Sequence, residues 1–194
     1  MNTQFLIYVR RIMQMGDTEK YKPQLVMYRP NLTDLPAIRL PEGYSCRTFQ
    51  PGDEAAWESI IFQSFQWKSD FRKQMEEDEY YNLGKIFFIC YGDTPIATAS
   101  AWHRPAWGRH VGYLHMVGII PDHGGKGLGL QVSLAALHHM ANSGKEASIL
   151  ETDDFRIPAI KTYLRLGYKP LLIHENQAER WKDLITANDL RIND

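Results

Sequence analysis

The stretch that decides the fold runs His110-Val-Gly-Tyr-Leu-His-Met-Val-Gly-Ile-Ile120, Pro121-Asp-His-Gly-Gly-Lys-Gly-Leu-Gly129, then Leu130 to Ala141. Its first part reads as a long strand that stops at Pro121. Its last part, from Gly127, reads as a helix with Leu130, Leu134, Leu137 and Ala141 on one stripe and Ser143-Gly144 as its stop. Between them lies a glycine-rich turn. Glycines permit positive φ and leave backbone N–H groups uncovered. The first turn of a helix adds free N–H groups and the positive end of a dipole. Strand, turn and helix together predict a site for a phosphate or pyrophosphate, with Lys126 as a nearby positive charge. A plain glycine-rich connector is the alternative that the turn alone leaves open.

Two phosphate-binding patterns fail here. A P-loop needs Ser or Thr after Gly-Lys, and Lys126 is followed by Gly127. A dinucleotide fingerprint counted from Gly125 or Gly127 needs a glycine at Leu130 or Val132.

Working outward, Lys85 to Tyr91 and Thr94 to Trp102 read as strands joined by a tight Gly92-Asp93 turn. Tyr44 to Phe49 is an earlier strand, and Gln24 to Tyr28 is a further short one. Asp53 is expected to cap a helix carrying Ala56, Ile60, Ile61 and Phe65. A second helix is expected from about Asp70 to Tyr80, its run Glu76-Glu77-Asp78-Glu79 forming a solvated face. After the central helix come a strand from Ala147 to Thr152, a helix from Pro158 to Leu166 closed by Gly167, and a strand from Tyr168 to Ile173. A closing helix from Glu175 to Ala187 would bury Trp181. Hairpin spacings early and β-α-β spacings late predict an α/β (α+β) mixed sheet flanked by helices.

Composition bounds the function. The 194 residues suit one domain with a real core. A net charge of -1 gives no field for nucleic acid or an anionic membrane. No apolar run reaches the roughly 18 residues of a membrane helix. At the start, Phe5 to Val9 precedes its arginines, the reverse of a secretory leader, so a cytoplasmic protein is expected. Cys46 and Cys90 sit in strand-like stretches and are read as free thiols. The adjacent His138 and His139 point about 100° apart on a helix, so they are read as surface residues and not a metal site. No metal is expected elsewhere.

Met116 to Gly129 resembles the coenzyme A-binding motif of the GNAT N-acetyltransferase superfamily, with Pro121, Gly125, Gly127 and Gly129 matching. Gly124 departs, standing where that family usually has Arg or Gln. Ala159-Ile-Lys-Thr-Tyr163-Leu-Arg-Leu-Gly167-Tyr168 is similar to a second motif of the same family. The resemblance covers most of Tyr44 to Ile173. It frames residues 44–174 as the acetyltransferase domain, 1–43 as an extension with an extra strand, and 175–194 as a helix or tail packed on the domain.

The resemblance implies a sheet splayed at its centre and acetyl-CoA as co-substrate. Gly124, Gly125, Lys126, Gly127, Leu128 and Gly129 would hold its pyrophosphate, and the backbone of Val117, Gly118 and Ile119 its pantetheine. It implies Tyr163 as general acid toward the departing thiolate. Glu151 matches in spacing the base of bacterial ribosomal-protein N-terminal acetyltransferases, with His115, Asp153 and Asp154 as alternatives. Arg156 stands where the family often has Asn, and is expected to reach a phosphate or the adenine side. Trp57, Phe65, Trp67, Phe71, Trp102 and Trp107 fall in acceptor-side segments, though each has a core reading too. The expected reaction is acetyl transfer to a primary amine of a small molecule or peptide. The alternatives are a non-catalytic acyl-CoA-binding regulatory module and, less well supported, a nucleotide-binding regulator. The extension and the Trp181 helix are expected to pack on a second copy in a homodimer.

Overall fold

The computed structural model describes residues 23–192; the Met1 to Arg11 stretch lies outside them. Seven strands form one sheet: β1 (Leu25–Arg29), β2 (Tyr44–Thr48), β3 (Ile86–Tyr91), β4 (Thr94–Trp102), β5 (Val111–Ile119), β6 (Ala147–Thr152) and β7 (Lys169–Leu171). The helices are α1 (Glu54–Phe65), α2 (Leu128–Asn142), α3 (Ile157–Arg165) and α4 (Gln177–Asn188). The strand order is β2-β3-β4-β5-β6-β1-β7. Every neighbouring pair is antiparallel except β5 and β6, which are parallel across the α2 crossover.

The sheet has apolar clusters on both faces. Ala97, Ala99 and Ala101 of β4 lie in one cluster with Leu134, Leu137 and Met140 of α2. These small side chains let α2 pack directly over β4 and β5. Trp57, Ile60 and Ile61 of α1 join Phe88, Trp102 and Tyr113 in the other. Both faces of β4 are covered, so every side chain from Ile96 to Trp102 is buried, Thr98 and Ser100 included.

Two features open the middle of the sheet. First, Thr98 pairs with Gly118 but Ser100 pairs with His115, so Met116 and Val117 together oppose Ala99. This is a β-bulge, and Met116 takes a φ of 50° within it. Second, β5 pairs with β6 only at Val111, Gly112 and Tyr113. Beyond Tyr113 the two strands part, and among the described residues no other strand pairs with the rest of β5 on that side. The expected central splay is therefore present.

β1 is an inner strand, paired with β6 over Leu25 to Arg29 and with β7 over Val26 to Tyr28. Leu25, Val26 and Met27 are fully buried. The Arg29 guanidinium donates to the carbonyls of Leu166 and Asn31, so β1 holds the C-terminal end of α3. Residues 31–43 are tied to α2 as well. The Arg39 N–H donates to Gln131 Oε1 at 2.7 Å, and His138 Nε2 donates to the Pro36 carbonyl at 2.8 Å. His138 is thus a tether rather than a free surface residue, and the half-buried His139 sets its ring edge on Phe87 at 5.6 Å.

Two local expectations fail for identifiable reasons. The helix expected from Asp70 to Tyr80 is one wide turn, Arg72–Glu76, in which Glu77 N–H reaches back to Arg72. Phe71 and Met75 are buried and anchor this turn. Asp78 then accepts from Tyr80 N–H and from Trp102 Nε1, which stops any extension. Asp53 begins α1 but does not cap it. Its carboxylate turns to Arg47, at 2.5 and 2.9 Å, and to Gln50 N–H. The Arg47 bonds pull its pKa down. Both thiols are free, Cys90 buried and Cys46 half-buried.

Gly167 has a φ of 81°, and a Cβ there would stand 2.6 Å from the Arg29 guanidinium. Gly167→Ala is expected to lower stability by about 1–3 kcal/mol, read as a shift of the urea midpoint at unchanged slope.

Candidate active site

The opened edge of β5 forms one wall of a cleft with two compartments. The larger, about 570 Å³, runs from Val117, Gly118 and Ile119 to the glycine turn and along α3. The smaller, about 300 Å³, holds His115, Glu151, Asp153, Arg104, Phe65 and Trp67. Val117, Arg156, Ala159 and Tyr163 line both, so Tyr163 stands where the compartments meet.

The glycine turn is built for backbone contact. Gly125 and Gly127 have φ of 75° and 74°, and a Cβ on either would point into open space. Glycine is therefore required there by conformation and not by packing. Gly127 precedes α2 with no side chain capping the helix, so its first N–H groups are free to meet an anion. Gly124, Gly125, Gly127, Leu128 and Gly129 line the larger compartment. Lys126 is not among the lining residues; it is exposed, and its Nζ folds back on the Asp122 carbonyl at 3.3 Å. Gly118 serves a different need, because a Cβ there would meet Ser64 Oγ at 2.8 Å. That close approach seats α1 against β5, where Ser64 Oγ lies 3.0 Å from the Ile119 carbonyl. An open strand edge, a cleft of this volume and a helix N-terminus with free N–H groups together fit an acyl-CoA. The edge suits the amides of pantetheine, and the turn suits the pyrophosphate.

Residues 52–168 match the family model described as Acetyltransferase (GNAT) family. The chain belongs to that family. A mycothiol acetyltransferase from Pseudarthrobacter chlorophenolicus is 31% identical over 163 residues, covering 76% of this chain and 50% of the relative. One from Saccharomonospora viridis is 33% identical over 149 residues, covering 69% and 48%. The chain thus spans about half the length of the curated relatives it matches. Among solved structures, a GNAT-family acetyltransferase from Colwellia psychrerythraea superposes with a TM-score of 0.60 at 15% identity, over 77% of this chain and 53% of the other. The ribosomal-protein-S18-alanine N-acetyltransferase from Escherichia coli gives 0.57 at 17%, over 66% and 79%. At those identities the likeness is one of fold.

Within this GNAT domain the titratable groups are held very differently. Tyr163 is 7% exposed, and burial raises its pKa to about 12, with Arg156 opposing. Its hydroxyl is therefore protonated across the physiological range. Glu151 accepts from Tyr113 Oη at 2.7 Å and from Arg104 at 2.6 Å, both on Oε2. Among the described residues Oε1 has no such partner. The Arg104 guanidinium also lies 4.2 Å over the Tyr113 ring. Burial first, then the Glu151 carboxylate, pushes the Tyr113 pKa well up, so this phenol remains a donor. His115 lies against Tyr113 and Trp102, with centroids 5.2 and 6.1 Å away. Burial, helped by Arg104, pushes its pKa down to about 3.

Arg156 is pinned by Asp153 at 3.0 Å and stacks at 4.0 Å on Phe65. It bridges the ends of α3 and α1 at the junction of the compartments. Asp154 is held by Arg180 of α4 at 2.6 and 3.1 Å, which anchors the loop before α3. Of the six aromatic residues expected toward the acceptor, Phe65 and Trp67 line the smaller compartment, while Trp57, Phe71, Trp102 and Trp107 are core. Sequence reasoning missed Tyr113 and Arg104 as partners of Glu151. A signal for Tyr113 existed: it sits two residues before His115, hence on the same face of the strand. Arg104 lies in a loop, and no periodicity points to it. Among the described residues no group of three metal-ligating side chains occurs, and no helix is long and apolar enough to cross a membrane.

A His with its folded pKa near 3 binds no proton at neutral pH. The His115 ring resonances are expected to stay at their neutral positions in NMR titrations from pH 8 down to 5. A midpoint near 6.5 would contradict the burial argument.

Proposed function

We propose that this GNAT domain transfers the acetyl group of acetyl-CoA to a primary amine of a small molecule by direct attack. The observation that carries the reading is the place of Tyr163. It lies at the one junction between the compartment ending in the glycine turn and the compartment holding Glu151. Transfer from a thioester releases a thiolate, and a proton donor at such a meeting point is placed to serve it.

Acetyl-CoA supplies an activated thioester carbonyl. The N–H groups at Gly125, Gly127, Leu128 and Gly129 would hold its pyrophosphate, and the unpaired edge at Val117, Gly118 and Ile119 its pantetheine. Along that edge alternate backbone N–H groups face the gap. They are the donors available to a carbonyl oxygen as negative charge builds on it. Tyr163 gives its proton to the departing sulfur; burial keeps the phenol protonated, though it also makes it a weaker acid than a free tyrosine.

Glu151 takes the proton from the incoming ammonium, directly or through one water. Tyr113 and Arg104 fix Oε2, and among the described residues Oε1 is left without a hydrogen-bond donor for the acceptor to displace. His115 is a poor competitor, since a ring of such low basicity gives the proton little reason to stay. The names of the curated relatives support a small acceptor over a protein N-terminus.

Tyr163→Phe is expected to keep acetyl-CoA binding in calorimetry and to lower turnover by about 10²-fold or more. Unchanged turnover would remove Tyr163 from the mechanism. Glu151→Gln is expected to lower kcat/KM by about 10²-fold or more in steady-state assays while acetyl-CoA binding in calorimetry stays unchanged. Acetyl-CoA binding without thiol release against any amine in a panel would favour the regulatory-module reading instead.

A further inference from the structure

The glycine turn lacks a side chain for the phosphates. Gly124 has none, and Lys126 is turned to a backbone carbonyl outside the compartment. Two cationic side chains line that compartment, Arg156 and Arg165. Arg156 is occupied by Asp153 and Phe65 at the end shared with the acceptor side. Arg165 is exposed and has no carboxylate within ion-pair distance among the described residues. It also borders a second hollow of about 280 Å³, lined by Lys161, Leu164, Asp189, Leu190 and Arg191. Lys161 and Arg165 are four residues apart, hence neighbours on one face of α3. A cation in the last turn of a helix is favoured by the dipole alone. The dipole does not account for this residue's place on the lining of both hollows, nor for the second and third cations around it.

Helix α3 lines the larger compartment through Pro158, Ala159, Thr162, Tyr163 and Arg165. Tyr163 also lines the acceptor-side compartment, and Arg165 also lines the basic hollow. We infer that Arg165, flanked by Lys161 and Arg191, binds the 3′-phosphate of the acyl-CoA and supplies the charge that the glycine turn lacks. The inference rests on the acyl-CoA reading above. The ligand chemistry fits: a phosphate monoester carries up to two negative charges, and guanidinium pairs with it through two parallel hydrogen bonds. Asp189, in the same hollow, leaves a net positive lining against the three cations.

The test is calorimetric binding of coenzyme A and of 3′-dephospho-coenzyme A to the wild type, Arg165→Gln and Lys126→Gln. The wild type is expected to prefer coenzyme A. Arg165→Gln should weaken coenzyme A by roughly tenfold, the scale of one charge-assisted hydrogen bond, and leave the dephospho compound almost unchanged. Lys126→Gln should change both by less than about twofold, as an exposed charge outside the compartment would. Equal losses for the two ligands in Arg165→Gln, or no loss, would overturn the assignment while leaving the acyl-CoA reading intact. A wild type that binds neither ligand would overturn both.

Discussion

The parallel ladder between β5 and β6 holds from Val111 to Tyr113 and then ends, and just beyond it β5 carries the bulge at Met116 and Val117. Backbone groups stranded inside a sheet are costly unless something pairs with them or water reaches them. Here the free edge lines a cleft, the one in which the proposed transfer would run. Gly118 lets α1 close against the far side of β5, and the glycine turn after Ile119 starts α2 at the mouth of the gap. β6 departs on the other side and carries Glu151 with it. If the ladder ran the full length of both strands, there would be no space for two substrates to meet.

The groups around the gap owe their states to neighbours in different ways. Tyr163 is kept protonated by burial, with no hydrogen bond needed. Glu151 is oriented by two donors on one oxygen. His115 is kept neutral by aromatic surroundings and the nearby Arg104. These assignments depend on long-range supports. Arg29 of β1 braces the end of α3, and Arg180 of α4 braces the loop at its start. The helix bearing Tyr163 is thus held at both ends by residues far away in sequence.

The parts legible in the sequence were those governed by local backbone demands. Gly125 and Gly127 announced a turn at positive φ, and Pro158 and Gly167 bracketed α3. Strand limits followed from Gly92 and Pro121. The splay itself came only through the likeness of two motifs to a family, since no local pattern says that a parallel ladder will stop after Tyr113. The place of β1 was hidden for the same reason. A run such as Leu25-Val-Met27 states that it is buried but not between which strands. The failed helix at Asp70 shows the opposite limit: its residues favour a helix, but burial of Phe71 and Met75 and the two bonds of Asp78 decide otherwise. Arg104 and Arg165 were silent because an arginine in a loop or on a helix face looks like solvent-exposed charge until the cavity beside it is seen.

Amide hydrogen exchange along β5, followed with and without coenzyme A, tests the central claim most directly. If the cofactor's pantetheine completes the opened edge, amides within Val117 to Ile119 that face the gap should slow on binding. Those of Gly112 and Tyr113, already inside the ladder with β6, should not change. Unaltered exchange across Val117 to Ile119 under saturating coenzyme A would contradict the account.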